Sequence, residues 1–370
     1  MNPVTVSHDL TKKEERIILI AAANSRTERW RAIQSLDELV NLTRTAGGDV
    51  IERFIQIRPR FDPATFIGIG KTRELAGICR EFRIDLVIFD AELSAAQIRN
   101  IEKIIGIRVI DRTMLILDIF AKHARTKEAK LQVELAQLEY RLPRLVGMGV
   151  EFSRLGGGIG TRGPGEKKLE VDRRRIKQRI SSLKRALKKI EQTKRIQRKG
   201  RKSIPRIAVV GYTNAGKSSL VNALTNAGLV TSDHLFSTLD SNTSVLFVPP
   251  HHKMLISDTV GFVKNLPHSL IASFHATLAE VLDANILIHI IDATSEDIDS
   301  KIETVMDVLE EIHVEATPVV TVFNKIDRLF PEQMERYRLR YPHTFLVSAH
   351  DRRGLDEIKE YLKEFFFSTT

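Results

Sequence analysis

The sequence predicts an α/β protein built in three successive parts. Three observations predict it. Apolar runs of strand length alternate with helix-length stretches over the first hundred or so residues, a leucine and isoleucine seam fills the middle, and the strand and helix alternation resumes from Arg206. A chain of 370 residues suits two or three domains of roughly 100 to 200 residues each.

In the first part, assigned to residues 1–125, IILIAA at 17–22, VIERFIQI at 50–57, DLVIFD at 85–90 and IRVID at 107–111 read as strands. Leu36 to Thr45, Lys71 to Phe82 and Ser94 to Ile105 read as the intervening helices, with Ser94 placed to cap the third. Strands separated by helices argue for a small, mainly parallel sheet. The lone cysteine, Cys79, has no partner for an internal disulfide and no ligand cluster beside it, so it is expected to be a buried packing residue.

The second part, assigned to 126–200, has a different period. Leu131, Leu135, Leu138, Leu142 and Leu145 recur at steps of four and three, and Ile176, Ile180, Leu183, Leu187 and Ile190 repeat the pattern. Between them lies VGMGVEFSRLGGGIGTRGPGE, rich in glycine and containing Pro164. Two seams joined by such a segment predict an antiparallel helical hairpin with a glycine-rich tip. Residues 194–205, with Gly200 and Pro205, read as a linker.

In the third part, assigned to 201–370, RIAVV, TSVLFV, KMLIS, ILIHII, PVVTVF and TFLV are six strand candidates, with helices starting near Lys217, Leu270, Ile298, Glu332 and Leu355. VLFVPPHHKMLIS reads as a hairpin, which puts one antiparallel strand on an otherwise parallel sheet. Ligands of such sheets bind at the carboxyl ends of the strands, and the chemical motifs fall there.

Gly211-Tyr212-Thr213-Asn214-Ala215-Gly216-Lys217-Ser218 fits G-x-x-x-x-G-K-[ST] between a strand and a helix, the setting of a P-loop. Its amides, with Ser219 in the following turn, are expected to close around phosphate oxygens at the helix N-terminus. Lys217 is expected to neutralise the β and γ phosphates, and the Ser218 hydroxyl to ligate Mg²⁺. Asp258-Thr259-Val260-Gly261 fits D-x-x-G, with Asp258 reaching Mg²⁺ through water and the Gly261 amide sensing the γ-phosphate. Asn324-Lys325-Ile326-Asp327 fits N-K-x-D, and the Asp327 carboxylate can accept from both N1–H and the 2-amino group of guanine, which adenine does not offer. Ser348-Ala349 is expected to bring a backbone N–H to guanine O6. These motifs in this order define a Ras-like P-loop GTPase domain.

A switch loop must supply one more threonine to Mg²⁺ and the γ-phosphate. Among Thr231, Thr238 and Thr243, Thr238 in Phe236-Ser237-Thr238-Leu239-Asp240 is the choice. Where such enzymes often place a water-orienting Gln after the D-x-x-G glycine, this chain has Phe262, so unaided hydrolysis is expected to be slow. Asn214 admits two roles, bracing the loop or helping to hold K⁺ beside the phosphates. Gly70-Lys71-Thr72 also ends in G-K-T, but the first glycine of the motif is replaced by Thr65, which reads as an ordinary loop.

Charge is concentrated. The net charge is +10, yet Glu166 to Arg206 holds about eighteen Lys and Arg against about four acids, leaving the rest slightly acidic. Such a block is a solvated helical face or a nucleic-acid contact. The N-terminus has no apolar run resembling a signal peptide, and no stretch approaches a membrane span, so a cytoplasmic location and no membrane span are expected. His251 and His252 fall in a Pro-Pro-His-His turn without further ligands at metal spacing.

The chain resembles the HflX family of translational GTPases over nearly its whole length. GGGIGTRGPGEKKLEVDRRR at 156–175, LFSTLD at 235–240 and DTVGFVKNLPHSLIASFHATLAE at 258–280 resemble that family's glycine-rich loop and basic helix, its first switch and its second switch. The family shares the missing Gln at Phe262. The resemblance implies a protein that binds the large ribosomal subunit, splits stalled or idle ribosomes with GTP, and is stimulated in hydrolysis by the ribosome. It gives the basic block a partner in ribosomal RNA, through Arg162, Lys167, Lys168, Arg173, Arg174 and Arg175, and a monomer is expected. Many members carry a further C-terminal segment beyond the position of FFFSTT here. A GTPase of ribosome assembly, or an RNA-binding scaffold with a vestigial G domain, are the alternatives.

Overall fold

The computed structural model describes residues 14–145, 164–199, 204–228, 235–236, 241–264, 279–314 and 316–368. The chain divides into two packed units, Met1–Ile116 and Leu117–Thr370.

The first unit holds β1 (Glu15–Ala23), α1 (Arg29–Thr45), β2 (Gly48–Ile57), α2 (Ile69–Glu81), β3 (Leu86–Phe89), α3 (Ala95–Ile105) and β4 (Arg108–Asp111). The strands form one sheet in the order β2-β1-β3-β4, with every pairing parallel. Its middle strands read as continuous apolar runs because both faces are covered, and Ile17–Ala21 and Leu86–Phe89 are buried throughout. Ser94 caps α3 as expected, its hydroxyl accepting from the Gln97 amide while the Gln97 side chain returns to the Ser94 amide. Cys79 is buried, and burial pushes its thiol up to about 11. Gly70 and Lys71 lie in the first turn of α2 and the Thr72 hydroxyl donates to the Gly68 carbonyl, so this G-K-T segment is a helix start and not a phosphate loop.

A further helix, α4 (Arg112–His123), follows β4 where no helical period is legible in the sequence. Met114, Leu115, Ile116, Leu117, Ile119 and Phe120 are all buried, so the segment has no polar stripe from which to read a helical period. The available signal was Asp111, which ends β4 and accepts from the Met114 amide at 2.9 Å in the manner of a cap. At the head of α4 the buried Arg112 guanidinium donates to Asp90 (2.7 Å) and Glu38. Burial works against its charge, but these two carboxylates more than compensate and push its pKa up.

The hairpin consists of α5 (Lys127–Arg144) and α6 (Pro164–Lys199). Leu135, Ile180 and Leu183 are buried between them, flanked by Leu131, Leu138, Leu142, Ile176 and Leu187. Lys194 pairs with Glu128 near the start of α5, and Lys184 pairs with Glu139 farther along it, so the two helices run antiparallel. α6 continues to Lys199, which corrects the linker reading of 194–199. Those residues hold only Ile196 as an apolar residue, and it is exposed. The helix therefore continues on local propensity, without an apolar stripe to announce it.

The remaining elements are β5 (Arg206–Gly211), α7 (Lys217–Thr225), β6 (Asn242–Val248), β7 (His252–Asp258), α8 (Ala279–Leu282), β8 (Ile286–Asp292), α9 (Ile298–Glu311), β9 (Val319–Asn324), α10 (Pro331–Arg340), β10 (Phe345–Leu346) and α11 (Leu355–Phe367). Their six-stranded sheet has the order β10-β9-β8-β5-β7-β6 and is parallel except for β6, which forms the expected hairpin with β7. The helix expected near Leu270 falls largely outside the described residues. Ile207, Val209, Leu220, Ile256 and Ile288 are central to the core, and β5 lies in the middle of the sheet. Because β5 is flanked by β7 on one side and β8 on the other, a crevice opens beyond its carboxyl end.

Candidate nucleotide-binding site

Beyond that crevice lies a cleft of about 770 Å³, lined by the G-x-x-x-x-G-K-S loop, Gly261, the N-K-x-D segment and Ala349. Four stretches widely separated in the chain thus meet at one place.

The loop leaves β5 at Gly211 and enters α7 at Lys217. Gly216 has φ +96°, and a Cβ there would stand 2.2 Å from the Asn324 side-chain nitrogen, so only glycine permits the turn. Asn324 braces the loop from β9, its amide group donating to the Ala215 carbonyl at 3.0 Å and accepting from the Ala349 amide at 3.0 Å. Lys325, which lines the cleft, donates from Nζ to the Asn214 carbonyl (2.8 Å) and to Asp292 (2.7 Å). Asp292 belongs to none of the sequence motifs. Its position at the end of β8 was the available signal. Lys325 lowers the Asp292 pKa against the effect of burial.

Lys217 is buried, and its ammonium donates to the carbonyls of Tyr212 (2.9 Å) and Gly211 (3.3 Å). Burial lowers its pKa to about 8, only partly opposed by Asp258. His289 on β8 is held neutral, its pKa lowered to about 4 by burial and by Lys217. Phosphate oxygens arriving at Lys217 favour the charged form. Between about pH 8 and 10.5 nucleotide binding should therefore take up a proton, with affinity falling up to about tenfold per pH unit as pH rises. Over the same window the nucleotide-free protein should gain stability with pH, because the unfolded lysine binds more protons than the folded one. Titration calorimetry in two buffers of different ionisation enthalpy measures that proton.

Ser218 Oγ donates to Asp258 Oδ2 at 2.6 Å, with both residues buried. Two hard oxygens at a helix N-terminus suit Mg²⁺ and not a soft metal. Thr259 locks the start of the D-x-x-G turn by donating to the Val209 carbonyl at 2.7 Å. Gly261 then passes so close to the P-loop that a Cβ would come within 2.7 Å of Thr213 Cγ2 and 2.9 Å of Lys217 Nζ. Phe262 forms a parallel bridge with Tyr212, its carbonyl accepting from the Thr213 amide (2.8 Å) and its amide donating to the Gly211 carbonyl (3.2 Å). At 2% exposure Phe262 is buried, and it is not among the described residues that line the cleft.

Asp327 follows Lys325 on a short 3₁₀ turn, and its Oδ1 accepts from the Ser348 hydroxyl at 2.6 Å. Arg328, His350 and Arg352, which the motifs did not indicate, also line the cleft. Ser219 and Phe236 line it as well, and Phe236 rests edge-on against Phe120 with ring centres 4.6 Å apart. Thr243 is on β6, bonded to Ser257 at 2.8 Å, whereas Thr231 and Thr238 lie outside the described residues. Arg173, Arg174 and Arg175 are exposed on α6. Arg162 and the side chains of Lys167 and Lys168 lie outside what is described.

This sheet, with a P-loop, D-x-x-G and N-K-x-D around one cleft, defines a P-loop GTPase. Three family models match consecutive stretches: "GTP-binding GTPase N-terminal" over residues 33–121, "GTP-binding GTPase Middle Region" over 123–201 and "50S ribosome-binding GTPase" over 206–325. The chain is 46% identical to the GTPase HflX of Caldanaerobacter subterraneus subsp. tengcongensis across 98% of its own length and 83% of that protein. It is 41% identical to the GTPase HflX of Escherichia coli K12 across 90% of its length and 79% of that protein. The chain belongs to the HflX family of GTPases. It also resembles a solved protein described as "SsGBP and GDP complex", with 26% identity, a TM-score of 0.50, and coverage of 95% of this chain and 98% of that one. The protein hydrolyses GTP to GDP and phosphate.

Proposed function

We propose that the GTP-loaded protein binds the large ribosomal subunit, splits stalled or idle ribosomes, and is released after hydrolysis that the ribosome stimulates. The observation that carries this is Phe262, buried and outside the cleft lining at the position where a side chain would orient water, beside otherwise intact motifs. The match to the family described as "50S ribosome-binding GTPase" supports the ribosome as the source of help.

In this reading the amides from Tyr212 to Ser219 cradle the phosphates and Lys217 neutralises the β and γ groups. Ser218, Thr238 and Asp258 hold Mg²⁺, whose charge offsets that of the phosphates. Gly261 donates its amide to the γ-phosphate. Asp327 reads guanine, Lys325 and Asn324 shape the base pocket, and Ser348-Ala349 positions an amide for O6. Asn214 lines the cleft beside the phosphate position and takes part in holding K⁺. Turnover in K⁺ buffer should exceed that in Na⁺ buffer, and equal rates leave Asn214 only its bracing role. The protein works as a cytoplasmic monomer.

The exposed arginines of α6 supply the RNA contact. Changing Arg173, Arg174 and Arg175 to Ala should weaken binding to large subunits about tenfold or more and flatten the salt dependence by about two to three in slope. Incubating intact ribosomes with the protein and a non-hydrolysable GTP analogue should release free subunits. Stable binding without release, or binding only to immature particles, would favour a role in assembly.

A further inference from the structure

The tyrosine of the P-loop ties the start of the second switch to the body of the domain. Its hydroxyl accepts from the Lys264 amide at 2.7 Å, and its ring lies 5.3 Å from the Lys301 ammonium, which also donates to Ser295 Oγ at 2.6 Å. The Lys264 side chain continues the chain of contacts to Asp297 at 2.8 Å. Asp297 stands at the N-cap of α9, where an aspartate ordinarily accepts from amides of the first turn, yet it makes no such bond. A stabilising cap is forgone in favour of an ion pair with the switch. Together with the two Phe262 bonds to Gly211 and Thr213, this holds residues 261–264 against the P-loop.

We infer that the Tyr212–Lys264–Asp297 chain is a positioning device that holds the Gly261–Lys264 segment in its nucleotide-free and GDP-bound position and thereby sets the preference for GTP over GDP. This rests on the reading above in which the Gly261 amide turns to the γ-phosphate. GDP lacks that phosphate and leaves the segment parked. GTP draws it away, and every bond lost in the move is subtracted from GTP affinity alone. The amide of Tyr212 serves both nucleotides, so it is the hydroxyl that discriminates.

Tyr212→Phe removes the acceptor while keeping the ring and its contact with Lys301. Wild type and variant are titrated with fluorescent GDP and a fluorescent non-hydrolysable GTP analogue in the presence of Mg²⁺. The ratio of analogue to GDP affinity should rise about threefold to tenfold. Asp297→Ala should move the ratio in the same direction, and the double variant should gain less than the product of the two, as expected for links of one chain. An unchanged ratio in both single variants, or equal loss of both affinities, overturns the inference. Amide exchange at 258–264 in wild type separates this from the underlying reading. Identical exchange with GDP and the analogue rejects the role of Gly261, whereas different exchange with an unchanged ratio rejects the tie alone.

Discussion

Asp327→Asn should weaken GTP binding by about 10²- to 10⁴-fold, the largest effect on affinity expected of any single substitution in the cleft. The carboxylate is oriented before any base arrives, because Ser348 donates to Oδ1 at 2.6 Å and the 3₁₀ turn Ile326–Arg328 fixes the backbone. Guanine offers it two donors, N1–H and the 2-amino group, and each bond to a charged acceptor is worth about 1.5–3 kcal/mol. Asparagine keeps the shape and can still accept from Ser348, but its NH₂ group then faces the donors of guanine. Xanthine carries a carbonyl at position 2 and accepts from that NH₂, so the variant should bind xanthosine diphosphate better than GDP. Competition between the two diphosphates against a fluorescent nucleotide checks both halves. A variant that still prefers guanine would remove Asp327 from base recognition.

Lys217→Met should lower the hydrolysis rate by about 10²- to 10³-fold, the effect expected on losing one preorganised charge from a developing transition state. Stability is expected to move the other way. Among the described residues this buried ammonium donates to the carbonyls of Tyr212 and Gly211, and burial, only partly opposed by Asp258, lowers its pKa to about 8. A lowering of that size corresponds to a cost on the order of 3 kcal/mol for keeping the charge inside. Methionine fills a similar volume without the charge. The nucleotide-free variant should therefore melt no lower than wild type, while the stabilisation that GDP confers on wild type should be lost. Melting curves with and without GDP, with single-turnover hydrolysis, separate a charge that serves the nucleotide from a lysine that serves the fold. A large drop in nucleotide-free melting temperature would assign it to the fold.

Much of the architecture was legible because it depends on local patterns. The strands ending at Gly211, Asp258 and Asn324 are apolar runs closed by residues that carry chemistry, and the seam from Leu131 to Leu142 announces its partner from Ile176 to Leu187. The illegible features depend on contacts between distant residues or on a missing period. Helix α4 is buried through most of its length and shows no amphipathic stripe. Asp292 matters because Lys325 reaches back to it across the strand ends, and no spacing rule connects them. Phe262 was visible as a missing glutamine, but its bridge to Tyr212 was not, because it forms only when the D-x-x-G turn folds onto the P-loop. The contact between Phe236 and Phe120 likewise joins a switch-loop residue to a helix the sequence did not disclose.

That bridge sharpens the central proposal, an enzyme with its phosphate and base contacts assembled and its water-orienting group supplied by a partner. The most direct measurement is the single-turnover GTP hydrolysis rate of the purified protein, alone and with saturating large ribosomal subunits, for wild type and Phe262→Gln. The expected result is slow hydrolysis alone, a rise of at least about tenfold with large subunits, and a faster unaided rate in the glutamine variant. Rapid hydrolysis by the isolated wild-type protein, unchanged by subunits and by the glutamine substitution, would contradict it.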